Sequence, residues 1–285
     1  MKKILLPTDF SENSINAIHY AIEFFKYEAC EFSVLNVQKV SSFVSDDLMA
    51  MQPSETIFNA LVTSAKEQIK RLITDLETIY GNTLHTFKSK VDYDNFIDAI
   101  NQVVELEAID LIIMGTKGAS NLGKTLFGSN TVRVIQRSSC PVLAIPNNYK
   151  YSEIKDIAFT SNYYTEYKSE DLLPLVNMAE HYDYKVHVIH VKDAEHLTQY
   201  QENNRAFLDA CFTNIDHSFI ELEGGDLFKV ITTYIPEHHI DLLAMMSRRH
   251  SFLERLFVTH PVESFAFDLK VPLLVMENTG DFYLK

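Results

Sequence analysis

Asp110-Leu-Ile-Ile-Met-Gly115-Thr-Lys-Gly118 decides how this chain is read. An aspartate opens four apolar residues, too few for a helix and right for a buried strand. Glycines then follow at 115, 118, 123 and 128. The chain has only eight glycines, so four within 14 residues mark a loop with a special backbone task. Outward on the N-terminal side, Phe96, Ile97, Ile100, Val103 and Val104 make one helical face. His85–Val91 alternates as a strand, 55–80 carries a long helical pattern stopped by Gly81-Asn82, and Phe32–Val37 is strand-like. Ile15, Ile18, Ile22 and Phe25 recur at helical spacing after the apolar run Lys3–Leu6. On the C-terminal side a helical stretch to about Arg137 precedes the strand Pro141–Ile145. Strand and helix alternate five times, the pattern of a parallel sheet covered on both faces.

The plan repeats. Asp241-Leu-Leu-Ala-Met245 matches Asp110–Met114, and Val271-Pro-Leu-Leu-Val275 matches Cys140-Pro-Val-Leu-Ala144, both 131 residues apart. Ile157–Phe159 matches Ile4–Leu6, and Val186–Val191 matches Phe32–Val37. A constant offset indicates tandem duplication. Two α/β domains are expected, 1–146 and 151–278, joined by the polar link Pro146–Lys150 and each an open five-stranded parallel sheet with helices on both faces.

Composition narrows the function. No apolar run reaches the roughly 18–20 residues of a membrane helix, and the N-terminal apolar segment is too short for a signal peptide, so a cytoplasmic protein is expected. The net charge of −14 opposes non-specific binding to nucleic acid or an acidic membrane. The charge is uneven: −4 over residues 1–147 and −10 over the rest. Cys30, Cys140 and Cys211 have no CxxC spacing, which argues against a disulfide framework or a cysteine-rich zinc site. His181, His187, His190, His196, His238 and His239 fall in no metal-ligand motif, and His187 and His190, three apart on a strand, face opposite sides.

In open parallel sheets ligands bind beyond the carboxyl ends of the strands, where strand order reverses. Pro7-Thr8-Asp9-Phe10 follows the first strand and Gly115-Thr116-Lys117-Gly118 the fourth. If those strands are neighbours, both loops face one crevice. Gly115 and Gly118 are expected to take positive φ and bring backbone N–H groups to a phosphate. Gly128-Ser129-Asn130 would present a helix N-terminus to the same anion. Asp9 cannot favour phosphate but can accept hydrogen bonds from a ribose or base. Its ordinary alternative is to cap the helix that starts near Ser11.

Gly115-x2-Gly118-x9-Gly128-Ser129 resembles the ATP-binding signature of the universal stress protein family. Pro7-Thr8-Asp9-Phe10-Ser11 is similar to that family's opening motif, and Ser139-Cys140-Pro141-Val142-Leu143 to its final strand. The resemblance covers nearly the whole chain as two tandem domains. It implies a Rossmann-like, adenine nucleotide alpha hydrolase-like fold and an ATP-binding, non-enzymatic role in stress response, with slow hydrolysis left open. It further implies ATP, with or without Mg²⁺, held by Pro7, Thr8, Asp9, Val37, Met114, Gly115, Gly118, Gly128, Ser129 and Asn130. Asp9 and Val37 would lie at the adenine, and the Met114–Asn130 residues at ribose and phosphates. Family domains pair through the last strand, which implies an internal pseudo-dimer of the halves or a homodimer.

Two rivals stand beside this reading. Gly118-Ala-Ser-Asn-Leu-Gly123-Lys124-Thr125 also satisfies the P-loop pattern of an ATPase or nucleotidyl enzyme. That geometry would start a helix at Lys124-Thr125 and bury Gly128 inside it. A scaffold that only dimerises is the other rival. In the second half the 131-residue offset replaces Gly115, Gly118, Gly128, Ser129 and Asn130 by Met246, Arg249, Thr259, His260 and Pro261, and Pro7-Thr8-Asp9 becomes Thr160-Ser161-Asn162. That half is expected not to bind ATP. Arg248, Arg249, His250, Arg255 and His260 form a basic cluster there, suited to another anion or to a solvated loop. Tyr163, Tyr164 and Tyr167 are expected to pack in the core or at the surface, and Ser41–Gln52 is long enough for a lid over the nucleotide or a disordered bridge.

Overall fold

A computed structural model of the chain describes residues 1–38, 55–93, 95–116, 128–192, 194–225, 227–247 and 269–280, without the side chains of 55–62, 227 and 228. The lid stretch 41–52, the loop residues Lys117, Gly118, Gly123, Lys124 and Thr125, and the basic cluster from Arg248 to His260 lie outside the described residues.

The chain forms two compact units. The first runs from Met1 to Cys140 and contains β1 (Lys2–Pro7), α1 (Glu12–Phe24), β2 (Cys30–Val37), α2 (Glu55–Tyr80), β3 (His85–Asp92), α3 (Phe96–Glu107), β4 (Leu111–Gly115) and α4 (Ser129–Arg137). Its strand order is β3-β2-β1-β4, every pair parallel. The condition for a shared crevice is met: β1 lies beside β4, with Ile4 opposite Leu111 and Leu5 opposite Ile112. The order reverses at β1, because β2 adds on one side and β4 on the other.

The elements follow from the apolar pattern. Ile4, Leu5, Leu6, Ile112 and Ile113 are fully buried, as a strand covered on both faces requires. α1 buries Ala17, Ile18, Ala21 and Ile22. Ser11 caps it, its hydroxyl accepting from Ser14 N at 3.3 Å. α3 is capped by Asn95, whose side chain accepts from Ile97 N at 3.1 Å.

The second unit begins at Pro141 and contains β5 (Val142–Ile145), β6 (Asp156–Thr160), α5 (Ser169–Tyr182), β7 (Lys185–Val191), α6 (Gln199–Cys211), β8 (His217–Leu222), α7 (Leu227–Glu237), β9 (Leu242–Ser247) and β10 (Leu273–Glu277). The strand order is β5-β10-β9-β6-β7-β8. All its ladders are parallel except β5–β10, where Leu273 faces Ala144 and Val275 faces Val142 in antiparallel register. The sheet is mostly parallel, as expected, and the antiparallel ladder pairs the last strand of each repeat. Both strands carry a buried apolar run that hydropathy cannot orient.

The duplication is visible bond by bond. Ala108 and His239 both adopt left-handed backbone, at φ 51° and 52°, just after a helix. Ile109 N donates to Val104 O at 3.1 Å, and Ile240 N to Ile235 O at 3.0 Å. Asp110 N donates to Lys3 O, and Asp241 N to Asp156 O, each at 2.9 Å. Both carboxylates return the contact: Asp110 Oδ2 accepts from Lys3 N at 2.8 Å, and Asp241 Oδ2 from Lys155 N at 2.8 Å and Asp156 N at 3.1 Å. The aspartate that opens each strand is a clamp on its neighbour, not the strand's first residue.

His187 pairs with Asp156 at 2.7 Å, while His190 is buried with Nδ1 3.0 Å from Ser161 O. No group of three or more metal-ligating side chains occurs among the described residues, and no helix among them is long and apolar enough to cross a membrane. Cys30 and Cys140 are buried thiols pushed up to about 12, in both cases first by burial and then by a nearby carboxylate, Glu28 or Asp110.

His217 carries a pH dependence. Partial burial acts to lower its pKa, but hydrogen bonds to the Ile215 carbonyl and the Asp209 carboxylate, with the charges of Asp209 and Asp216, prevail and hold it above its ordinary 6.5. A raised folded-state pKa means its stabilising contribution is complete below about 6.5 and fades as pH climbs through the folded value. NMR titration is expected to place His217 above 6.5, and Asp209→Asn to move it back down; an unmoved midpoint would remove this linkage.

Candidate functional site

The loops after β1 and β4 approach at the carboxyl end of the first unit's sheet. Pro7 and Thr8 are buried there. Thr8 N donates to Leu35 O at 2.8 Å, extending the β1–β2 ladder by one step. The Thr8 hydroxyl lies 2.9 Å from Ser14 Oγ and accepts from Phe10 N at 3.0 Å, which folds the chain back into α1 with Phe10 at φ 62°.

Asp9 is exposed at this turn, and its Oδ1 accepts from Ser11 N at 3.1 Å and Ser11 Oγ at 2.5 Å. The ordinary alternative for Asp9 is thereby corrected. Ser11 caps α1, and Asp9 fixes the capping residue from outside the helix. One carboxylate edge is committed to the turn, and the side chain stands at the crevice mouth.

Met114 and Gly115 end β4, both buried. The expectation of positive φ at Gly115 is not met: among the described glycines only Gly81 and Gly225 have positive φ. Glycine is required for space instead. A Cβ on Gly115 would stand 2.7 Å from Asn13 Nδ2 and 2.9 Å from Asn13 O, so α1 lies where a side chain would be.

α4 is fastened to the same strand end. Gly128 N donates to Thr116 O at 2.6 Å, and the Thr131 hydroxyl to Gly115 O at 3.0 Å. Gly128 is the N-cap, with extended backbone (φ −68°, ψ 154°) and no side-chain capping bond. The first turn holds no acidic residue, and Arg137 lies in the last. The first N–H groups of a helix lack intrahelical partners and form its positive end. Ser129 is exposed and Asn130 half-buried in that turn. This is the chemistry of an anion seat, positioned beside β4 by two hydrogen bonds. Val37 is half-buried at the end of β2.

Thus Pro7, Thr8, Asp9, Met114, Gly115, Gly128, Ser129 and Asn130 gather at the ends of two neighbouring strands, with Val37 one strand away; Gly118 lies outside the described residues. The extended Gly128 contradicts the P-loop geometry, which would place it inside a helix. A cavity of about 240 Å³, lined by Leu76, Tyr80, Asn82, His85 and Phe87 among others, lies at the opposite end of the strands and is unrelated to this crevice.

Asn36 is a site residue the sequence reading missed. Its Nδ2 donates to Thr8 O at 2.8 Å, and its Oδ1 accepts from Gln38 Nε2 at 2.6 Å, tying the end of β1 to the end of β2. A polar residue within the otherwise strand-like Phe32–Val37 was the available signal.

The second unit preserves this skeleton and fills it. Ser161 N donates to Ile189 O at 2.9 Å, its hydroxyl accepts from Tyr163 N at 3.0 Å, and His190 takes the place of Asn36. Tyr163, at φ 56° like Phe10, is 1% exposed. Its ring stacks on His190 at 4.7 Å, and its carbonyl accepts from Asn204 at 2.8 Å. Tyr167 is buried with its hydroxyl 2.5 Å from Ser161 Oγ. The core role expected of Tyr163 and Tyr167 is what the structure shows.

Gly115→Val tests the close approach. Three contacts under 3 Å, one to backbone, force α1 away from β4 at a cost of about 1–3 kcal/mol. Thermal or urea unfolding is expected to show the loss; an unchanged transition would mean the contact relaxes freely.

Comparison with known proteins agrees with the geometry. Residues 1–146 match the universal stress protein family. A universal stress protein of Methanocaldococcus jannaschii is 33% identical over 149 residues, covering 50% of this chain and 81% of the relative. A second from the same organism is 29% identical over 155 residues, 50% of this chain and 94% of that one. The crystal structure of a universal stress protein from Archaeoglobus fulgidus matches 96% of this chain and 98% of its own at TM-score 0.68 and 19% identity, a likeness of fold across both units. A Rossmann-like α/β fold with a mostly parallel sheet, and a match over the half that holds the crevice, lead to one conclusion: the chain belongs to the universal stress protein family.

Proposed function

We propose that the chain binds one adenine nucleotide, ATP with or without Mg²⁺, in the first unit, and that the nucleotide serves a stress response as a conformational or assembly ligand rather than a substrate for fast turnover. The observation that carries this is the start of α4. It has an N-cap without a side-chain bond and no acid in its first turn, and Thr116 O and Gly115 O hold it at the end of β4. Phosphate oxygens suit that seat. Asp9, one strand across, offers acceptors to ribose or base hydroxyl and amino groups.

Among the described residues gathered there Asp9 is the titratable one, and its Oδ1 is committed to Ser11. Cys140 is buried, and its thiol is pushed up to about 12 by burial and Asp110. The role proposed is therefore occupancy, in the cytoplasm. The second unit is proposed to carry no ATP in this manner. The antiparallel β5–β10 ladder supports pairing of the repeats through their last strands.

Calorimetry on the full chain is expected to show one ATP bound per chain. Asn130→Pro copies the residue found 131 positions later and removes one first-turn N–H. It is expected to weaken binding roughly tenfold, the loss of about 1.5 kcal/mol for a hydrogen bond to a charged group. Asp9→Ala is expected to weaken it similarly. No heat with wild type would favour the scaffold reading, and rapid magnesium-dependent ATP turnover would favour the enzyme.

A further inference from the structure

The crevice of the second unit that corresponds to the candidate site lies between β6 and β9, which are parallel neighbours. Three consecutive residues cross it. The chain leaves β10, the strand on the far side of β9, and Asn278 N donates to Ser247 O, at the end of β9, at 2.8 Å. Next, Thr279 N donates to Asp171 Oδ2 at 2.8 Å, and its hydroxyl lies 3.0 and 3.1 Å from the two Asp171 oxygens. Asp171 belongs to the first turn of α5, the helix after β6. Gly280 follows, its N–H donating to Asn278 Oδ1 at 2.8 Å, pressed so closely on the Glu166 carbonyl that a Cβ has no room.

The segment thus fastens the carboxyl end of β9 to the loop and helix that follow β6. Tyr163 and Tyr167, between β6 and α5, are buried, as are Asn278 and Gly280. The repeat offset of 131 residues pairs Asn278 and Thr279 with Asn147 and Asn148, and both of those are exposed. Among the described residues the crossing is a feature of the second repeat alone.

We propose that Asn278–Gly280 is a latch that holds the crevice between β6 and β9 shut. The second unit is then closed by its own chain, independently of the glycines it lacks. The latch stands or falls separately from nucleotide binding in the first unit, because none of its residues belongs to that site.

Hydrogen exchange by mass spectrometry on the full chain tests it, comparing wild type with Asp171→Ala and Gly280→Val. Asp171→Ala removes the acceptors of Thr279, and Gly280→Val drives the segment off the Glu166 carbonyl. Both are expected to speed exchange of the amides of 162–168 about tenfold or more, while β6 and β7 keep their protection. Unchanged exchange at 162–168 in both variants would overturn the latch. Equal loss of protection in β6 and β7 would overturn it too, since the segment would then be a support of the whole unit. Absence of ATP binding by the wild type would remove the proposed function and leave the exchange result to decide the latch.

Discussion

Gly115 has no side chain, and α1 occupies the space one would fill. On this close approach rests the geometry of the first unit's crevice. Asn13 can lie against the end of β4 only because there is no Cβ between them. With α1 so placed, its cap Ser11, the Asp9 turn and the buried Thr8–Ser14 pair are brought to the mouth of the same strand pair. Gly115 O then serves a second purpose as acceptor for Thr131, which fixes α4 beside the strand. One missing methyl group sets both walls.

The two repeats separate what builds the fold from what builds a site. The aspartate clamps, the left-handed residues 108 and 239, and the hydroxyl that folds the loop after the first strand of each repeat recur almost distance for distance. These bonds satisfy backbone groups that burial would otherwise leave costly, and they persist whatever the crevice does. The crevice residues have diverged. Asn36 gives way to His190, which keeps the bond to the loop carbonyl and adds a ring for Tyr163 to stack on. The stack of Tyr163 on His190 packs rings behind the loop, which favours a closed core over a bound ligand.

Strand and helix order, the tandem repeat and the adjacency of the two loops were legible because hydropathy period and the 131-residue offset are local properties of the string. The reason for Gly115 was not. A positive φ and a close approach both demand glycine, and only the position of Asn13 distinguishes them. The cap was left open for a similar reason: Asp9 and Ser11 are both good N-cap residues two positions apart, and which one meets Ser14 N depends on the turn at Phe10. Asn36 escaped notice because its partner Thr8 is set by strand pairing, not spacing. The antiparallel β5–β10 ladder is invisible for the same cause, since a buried apolar run has no direction.

The two buried thiols have a consequence for how such a protein meets oxidising conditions. With Cys30 and Cys140 pushed up to about 12, both thiols stay protonated at neutral pH. Peroxides and disulfides react with the thiolate, so these sulfurs are poor nucleophiles as well as sterically enclosed. Both thiols belong to the first unit, so its core presents a poor target to oxidants that would mark more acidic, exposed cysteines.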